Sequence, residues 1–297
     1  MCDGTAYESV SNNLYSLSLG TTGSSNLITA NLPAGVNALA FHPQDNFLYA
    51  VTQTLSKGAS VVRIGQNGIS NAVPNSNIPQ FNASATSPYM ASGDIDNNFS
   101  YWIAYNSGQN WVQIDLNNAS PTYGQVIGSG IASGLSTNIA VSDWAYIPTY
   151  PNRLYTLGGQ VSQAGVYTTY LLFFDLISKS WSTVFTYTPA SGGTSGKAQW
   201  GAVYSTSDGY LYATENNSGG IYKVSITSPG LMNYLTSAVS QGIVGGSNDG
   251  ARCMNGPITV TKKRTVDSDV KFAKLPRGGL DTQRLSRKKD QRNSRAG

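Results

Sequence analysis

The chain has 297 residues, of which 40% are hydrophobic and only 11% charged, with 32 glycines and 18 tyrosines. That length can bury a full core in one large domain or two smaller ones, and no run of ~18 apolar residues is present, so no transmembrane helix is expected. The formal charge of +4 divides unevenly: from residue 261 onward 12 lysines and arginines stand against 4 aspartates, whereas residues 1–260 hold 7 against 11 acids.

The chain opens on "MCDGTAY", in which no signal peptide is read. "TAYESV", "NLYSLSLG" and "NLITANL" then read as three strands separated by polar turns. Four longer units follow. The first runs "VNALAFHPQDNFLYAV", "ASVVRIGQNG", "ISNAVP"; the second "MASGDIDNNFSYWIAY", "NWVQIDLNN", "YGQVIG". The third runs "VSDWAYIPTYPNRLYTLG", "TTYLLFFDLISKSW", "STVFTY"; the fourth "QWGAVYSTSDGYLYATE", "GGIYKVSI", "LMNYLTS". Each unit holds four short runs of alternating apolar residues, split by Asp, Asn, Gly, Pro and Ser. No amphipathic helical stretch of useful length interrupts them.

Repeats of roughly 50 residues built from four strands predict propeller blades. The three opening strands and "GGSNDGARC" near residue 250 complete a fifth blade, with the C-terminal strand innermost. The predicted fold is therefore an all-β five-bladed β-propeller over 1–260, its ring closed by pairing of the N- and C-terminal strands. Six or seven shorter blades remain an alternative, because strand boundaries are weakly specified by sequence. A blade cannot bury both faces alone, so Tyr49, Trp102, Tyr155 and Tyr212 of the recurring phrase are expected to pack between blades.

Cys2 and Cys253 are the only cysteines and lie at the two ends of this body. Closure places them in one blade, where a disulfide is expected, and with it an oxidising compartment. Asn-X-Ser sequons at Asn82, Asn98, Asn118 and Asn216 are candidate glycosylation sites. The tail 261–297 is expected to be disordered. Phe272 is its only aromatic residue, so it supplies no base-stacking surface and no specific nucleic-acid partner is read from it, only non-specific attraction to anions.

The motifs "NALAFHPQDNFLYAV", "SGDID", "SDWAYIP", "WGAVYSTSDGYLYATENNSGGIYKV" and "SNDGARC" resemble a secreted microbial family, found in fungi and bacteria and catalogued as a domain of unknown function. The resemblance covers residues 2 to about 256 and implies a propeller-like fold and a place outside the cell or on its surface. It implies no catalytic residues.

In a propeller the first strand of each blade faces the axis. Aligned on the recurring phrase, Asn37, Asp143 and Trp200 occupy related positions there; Asp249-Gly-Ala joins them by likeness, and "SGD" places Ser92 or Asp94 nearby. Small residues beside a polar one suit a crowded axis. Three carboxylates close together repel unless a hard cation such as Ca²⁺, ordered water with raised pKa values, or backbone N–H groups compensate. Asp94, Asp143 and Asp249 are thus candidate metal ligands, and independent capping of strands and turns is the plainer reading of the same residues. Asn37, Trp144 and Trp200 are candidate ligand contacts, with the two tryptophans serving alternatively as plugs of the channel mouth.

Glu215-Asn216-Asn217 reads as the turn after a strand. His42, the only histidine, falls in the "FHPQDN" turn, an outer, solvated position. No His/Cys cluster suits zinc and no phosphate-binding Gly-Lys motif is present. The leading expectation is a monomeric, non-catalytic secreted or surface propeller that binds a carbohydrate or protein. The alternatives are a Ca²⁺-assisted hydrolase or lyase working through the axial aspartates, and an intracellular scaffold.

Overall fold

The computed structural model describes residues 2–20, 24–54, 58–78, 90–161, 167–187, 199–229, 238–246 and 248–257. They form twenty strands in five antiparallel four-stranded sheets, with no helix among the described residues. Blade 1 runs β4 (Val36–Phe41), β5 (Leu48–Thr54), β6 (Gly58–Ile64), β7 (Ser70–Ile78). Blade 2 runs β8 (Met90–Ile95), β9 (Ser100–Tyr105), β10 (Asn110–Asp115), β11 (Val126–Ile131). Blade 3 runs β12 (Ala145–Tyr146), β13 (Arg153–Val161), β14 (Tyr167–Asp175), β15 (Ser180–Tyr187), and blade 4 runs β16 (Trp200–Ser205), β17 (Tyr210–Glu215), β18 (Gly220–Ser225), β19 (Ser240–Gln241).

Blade 5 is assembled from both ends of the chain: β20 (Asn248–Arg252), then β1 (Ala6–Val10), β2 (Asn13–Leu17) and β3 (Ser25–Thr29). The closing register pairs Ala6 with Arg252 and Val10 with Asn248. The expected five blades and the expected innermost C-terminal strand are both present. A strand expected at 231–237 lies outside the described residues, as does the tail 261–297; β19 is the fourth strand that pairs with β18.

Burial explains the sequence pattern. β9 and β16 are buried at every position, so they read as continuous apolar runs, whereas the outer strand β11 alternates half-buried and exposed. The apolar residues fall into five clusters, one per junction between blades. Tyr49 packs with Val61, Tyr101 and Ile114 between blades 1 and 2. Trp102 joins Trp144, Phe174 and Trp181 between blades 2 and 3, and Tyr155 joins Leu171, Trp200 and Leu211 between blades 3 and 4. Tyr212 packs with Ala6, Leu17 and Tyr204 between blades 4 and 5; Leu14, Leu39 and Ile64 fill the junction of blades 5 and 1. The recurring phrase therefore supplies one large ring to each of four junctions, and each such side chain contributes about 1.5–3 kcal/mol by leaving water.

Candidate functional site

The inner strands carry a repeated irregularity. The register slips by a bulge between Asn37 and Ala40 in β4, between Met90 and Ser92 in β8, and between Trp200 and Ala202 in β16. A bulge bends a strand and re-aims its side chains; Ala38 takes a left-handed φ of 59° to achieve it. Inner strands also approach too closely for a Cβ. One built on Gly93 would overlap the backbone of Ala38, and one on Gly201 would overlap the Asn248 amide.

The axial carboxyl groups reach sideways into neighbouring blades. Asp94 Oδ2 accepts the Tyr146 N–H of blade 3 at 2.6 Å, and Oδ1 accepts Ile95 N–H at 2.9 Å. Asp143 Oδ2 accepts Val203 N–H of blade 4 at 2.6 Å and Gly250 N–H of blade 5 at 3.2 Å; its Oδ1 accepts Trp144 N–H at 2.7 Å. Asp249 accepts the Leu39 N–H of blade 1 and its neighbour Gly250 N–H at 3.1 Å. Between blades 1 and 2 a hydroxyl does the same work, Tyr101 donating to Ala38 C=O. Asp143 and Asp249 share the Gly250 N–H between them.

All three aspartates are buried. Burial pushes Asp94 up to about 8 against the pull of the Tyr146 and Ile95 N–H groups. Burial, then the charge of Asp249, holds Asp143 well above the usual carboxylate range. Asp249 is likewise raised by burial, against its bond from Leu39 N–H. Like charges close together in a dry site raise each other's cost of ionising, which acts on Asp143 in the same sense as its burial. Among the described residues, no three His, Cys, Asp or Glu side chains are grouped as ligands of one ion.

The candidate ligand contacts are dispersed. Trp144 is 1% exposed and stacks on Phe174 at 5.5 Å; Trp200 is also 1% exposed and meets Tyr222 edge-on at 5.6 Å. They belong to different junctions, while Asn37 is half-buried at the start of β4.

His42 corrects a sequence expectation, for it is wholly buried. Its Nε2 donates to Leu116 C=O of blade 2 at 3.0 Å, and its ring stacks on Phe99 at 5.2 Å. The turn that carries it links the inner strand β4 to β5 and is covered by the adjacent blade.

Glu215 does organise a turn. Its carboxylate accepts N–H bonds from Asn217 at 3.2 Å and Ser218 at 2.9 Å. Asn216 is buried, with its side-chain oxygen accepting Gly201 N–H at 2.8 Å, whereas Asn98 and Asn118 are exposed in turns. Asn82 lies outside the described residues.

The closing blade holds two further fasteners. Cys2 and Cys253 form a disulfide with Cα atoms 5.5 Å apart. Beside it, the buried Arg252 guanidinium donates to the carbonyls of Gly4 at 3.1 Å, Ser205 at 3.0 Å, Gly256 at 2.9 Å and Pro257 at 2.7 Å. A cavity of about 70 Å³ lies against it, lined also by Thr5, Ser18 and Gly20. The sequence reading missed Glu8, a fully buried acid of β1 that joins blade 5 to blade 4. The signal was present: Ala6, Glu8 and Val10 share one face of a strand whose other members on that face are apolar.

Five four-stranded blades, closed on themselves by strands from both termini, define a five-bladed β-propeller. The chain belongs to the DUF6923 family, described as a repeat of unknown function, whose profile matches residues 4–255. No protein of curated function matches it significantly in sequence. Among solved structures it is similar to a streptogramin B lyase, at 12% identity and a TM-score of 0.37 over 73% of this chain, and it spans 60% of that lyase's length. It is also similar to TolB from Acinetobacter baumannii (10% identity, TM-score 0.40, 82% of this chain and 55% of that one). A putative 6-phosphogluconolactonase from Bacteroides uniformis shows 10% identity and a TM-score of 0.41, over 81% of this chain and 98% of the other.

Proposed function

We propose that the protein is a non-catalytic, extracellular or cell-surface propeller that binds a carbohydrate or another protein through one face of its ring. The observation that carries this reading is where the reactive side chains sit. The one histidine is buried and bonded to a carbonyl, and the axial carboxyl groups accept backbone N–H bonds from neighbouring blades. What faces solvent is turns rich in Asn and Ser, chemistry suited to wet, adaptable recognition. The disulfide between the propeller's first and last segments fits an oxidising compartment, and among the described residues Asn98 and Asn118 are the sequons whose exposure suits a glycan.

Binding of the full chain to a glycan array, together with pull-down from cell-surface extracts, tests the reading. Selective retention of one glycan class or one surface protein supports it; no ligand across both panels overturns it. A Ca²⁺-assisted hydrolase or lyase acting through Asp94, Asp143 and Asp249 makes a separate demand. Stoichiometric calcium in the purified protein, lost together in the three Asp→Asn variants, would favour that alternative.

A further inference from the structure

Glu8 is a wholly buried acid at the junction of blades 4 and 5, and it stands where the ring closes. Three segments converge on its carboxyl group. Asn248 Nδ2 of β20 donates to Oε1 at 3.1 Å. Tyr204 O–H of β16 reaches Oε2 at 3.2 Å, and Ile243 N–H, from the connection between blades 4 and 5, reaches the same oxygen at 3.4 Å. That connection is held close, since a Cβ on Gly242 would lie 2.8 Å from Oε2. The Tyr204 hydroxyl has a second partner, Thr214 Oγ1 at 3.4 Å. It therefore has two settings. With Glu8 ionised it donates to the carboxylate. With Glu8 protonated it can turn its hydrogen to Thr214 and accept the new O–H on its oxygen.

We propose that Glu8 is a protonation switch at the seam between blades 4 and 5, holding the ring's closure tight when it carries a proton and easing the seam open when the proton leaves to bulk water.

The other charged and titratable groups around it leave the switch to Glu8. Tyr15 is its partner across β2, Tyr204 donates to it from β16, and Asp143 lies on the far side of Tyr204. On β20, Asp249 is bonded to Leu39 and Gly250, and Arg252 is bonded to backbone carbonyls. The ion pairs among the described residues are His42–Asp45 and Lys223–Asp208, so no cation is paired with Glu8. Burial, opposed by the bonds from Asn248, Ile243 and Tyr204, pushes the Glu8 carboxyl up to about 7. An acid raised by burial favours the closed, dry seam below its solvent value. That preference is lost as pH rises toward 7 and does not change further above it.

Hydrogen–deuterium exchange of the full chain reads this directly, once rates are corrected for the base catalysis of exchange itself. Between pH 5 and pH 8, opening of the segment spanning 238–252 is expected to rise by up to about 10-fold per pH unit up to pH 7, while β9 in blade 2 shows no such trend. Glu8→Gln, which cannot titrate, is expected to abolish the dependence. Tyr204→Phe, which removes a bond that favours the ionised form, is expected to move the midpoint to higher pH and tests the switch even where Glu8→Gln fails to fold. A seam equally protected at pH 5 and pH 8, the same trend in Glu8→Gln, or an unmoved or lowered midpoint in Tyr204→Phe overturns the proposal.

Discussion

At the rim of the blades, Asp45, Asp115 and Asp175 turn back on their own hairpins. Asp45 accepts Phe47 N–H at 3.1 Å, Asp115 accepts Asn117 N–H at 2.9 Å, and Asp175 accepts Ile177 and Ser178 N–H at 2.9 and 2.8 Å. At the axis, Asp94, Asp143 and Asp249 reach across to N–H groups 52, 60 and 210 residues away. The environments push the carboxyl groups in opposite directions. For the rim acids burial is outweighed by the hydrogen bonds, and their carboxyl groups are held below the usual value. For the axial acids burial wins, and their carboxyl groups are held above it. The same side chain shapes a turn in one place and joins two sheets in the other, and the solvent around it decides which.

The comparison can be broken most severely at Asp143. Asp143→Ala leaves the N–H groups of Val203, Gly250 and Trp144 without that acceptor, and about 3 kcal/mol or more of stability is expected to go. Thermal unfolding should then shift downward by on the order of 10 °C, at the 2–4 °C per kcal/mol typical of chains this long. Next comes the closure itself. Reducing the Cys2–Cys253 disulfide is expected to cost about 2–3 kcal/mol. The far-ultraviolet circular dichroism should stay unchanged, because β1–β20 pairing and the Arg252 bonds still join the two ends. The rim gives the smallest effect: Asp175→Ala removes exposed capping bonds worth about 1 kcal/mol, measurable by denaturant titration. Equal losses at Asp143 and Asp175 would erase the distinction between axis and rim.

Much of the architecture was legible in the sequence because each blade repeats one phrase, and a repeat that cannot bury itself must stack. "SNDGARC" identified β20 as the fifth blade's inner strand because the opening segment offered only three strands. Where the axial acids point was not legible. Their partners are N–H groups on other blades, brought within reach by inner strands that touch at Gly93 and Gly201 and that bulge in β4, β8 and β16, and a linear alignment of strands does not show which blades meet there. His42 misled for a related reason: its turn is polar by local composition, yet Leu116 and Phe99 of the next blade cover it. Trp144 and Trp200 align beside the axial acids but pack into two separate junctions.

Thermal unfolding followed from pH 5 to pH 9 tests most directly the claim that the blades are joined through buried axial carboxyl groups raised above their usual range. A group raised in the folded state stabilises below its unfolded value of about 4 and loses that contribution as pH climbs toward its folded one, about 8 for Asp94. The wild-type melting temperature is therefore expected to fall across this range. Asp94→Asn, missing one acceptor, should start lower at pH 5 and fall less steeply. A melting temperature that holds or rises toward pH 9, or a variant as steep as the wild type, would contradict the account.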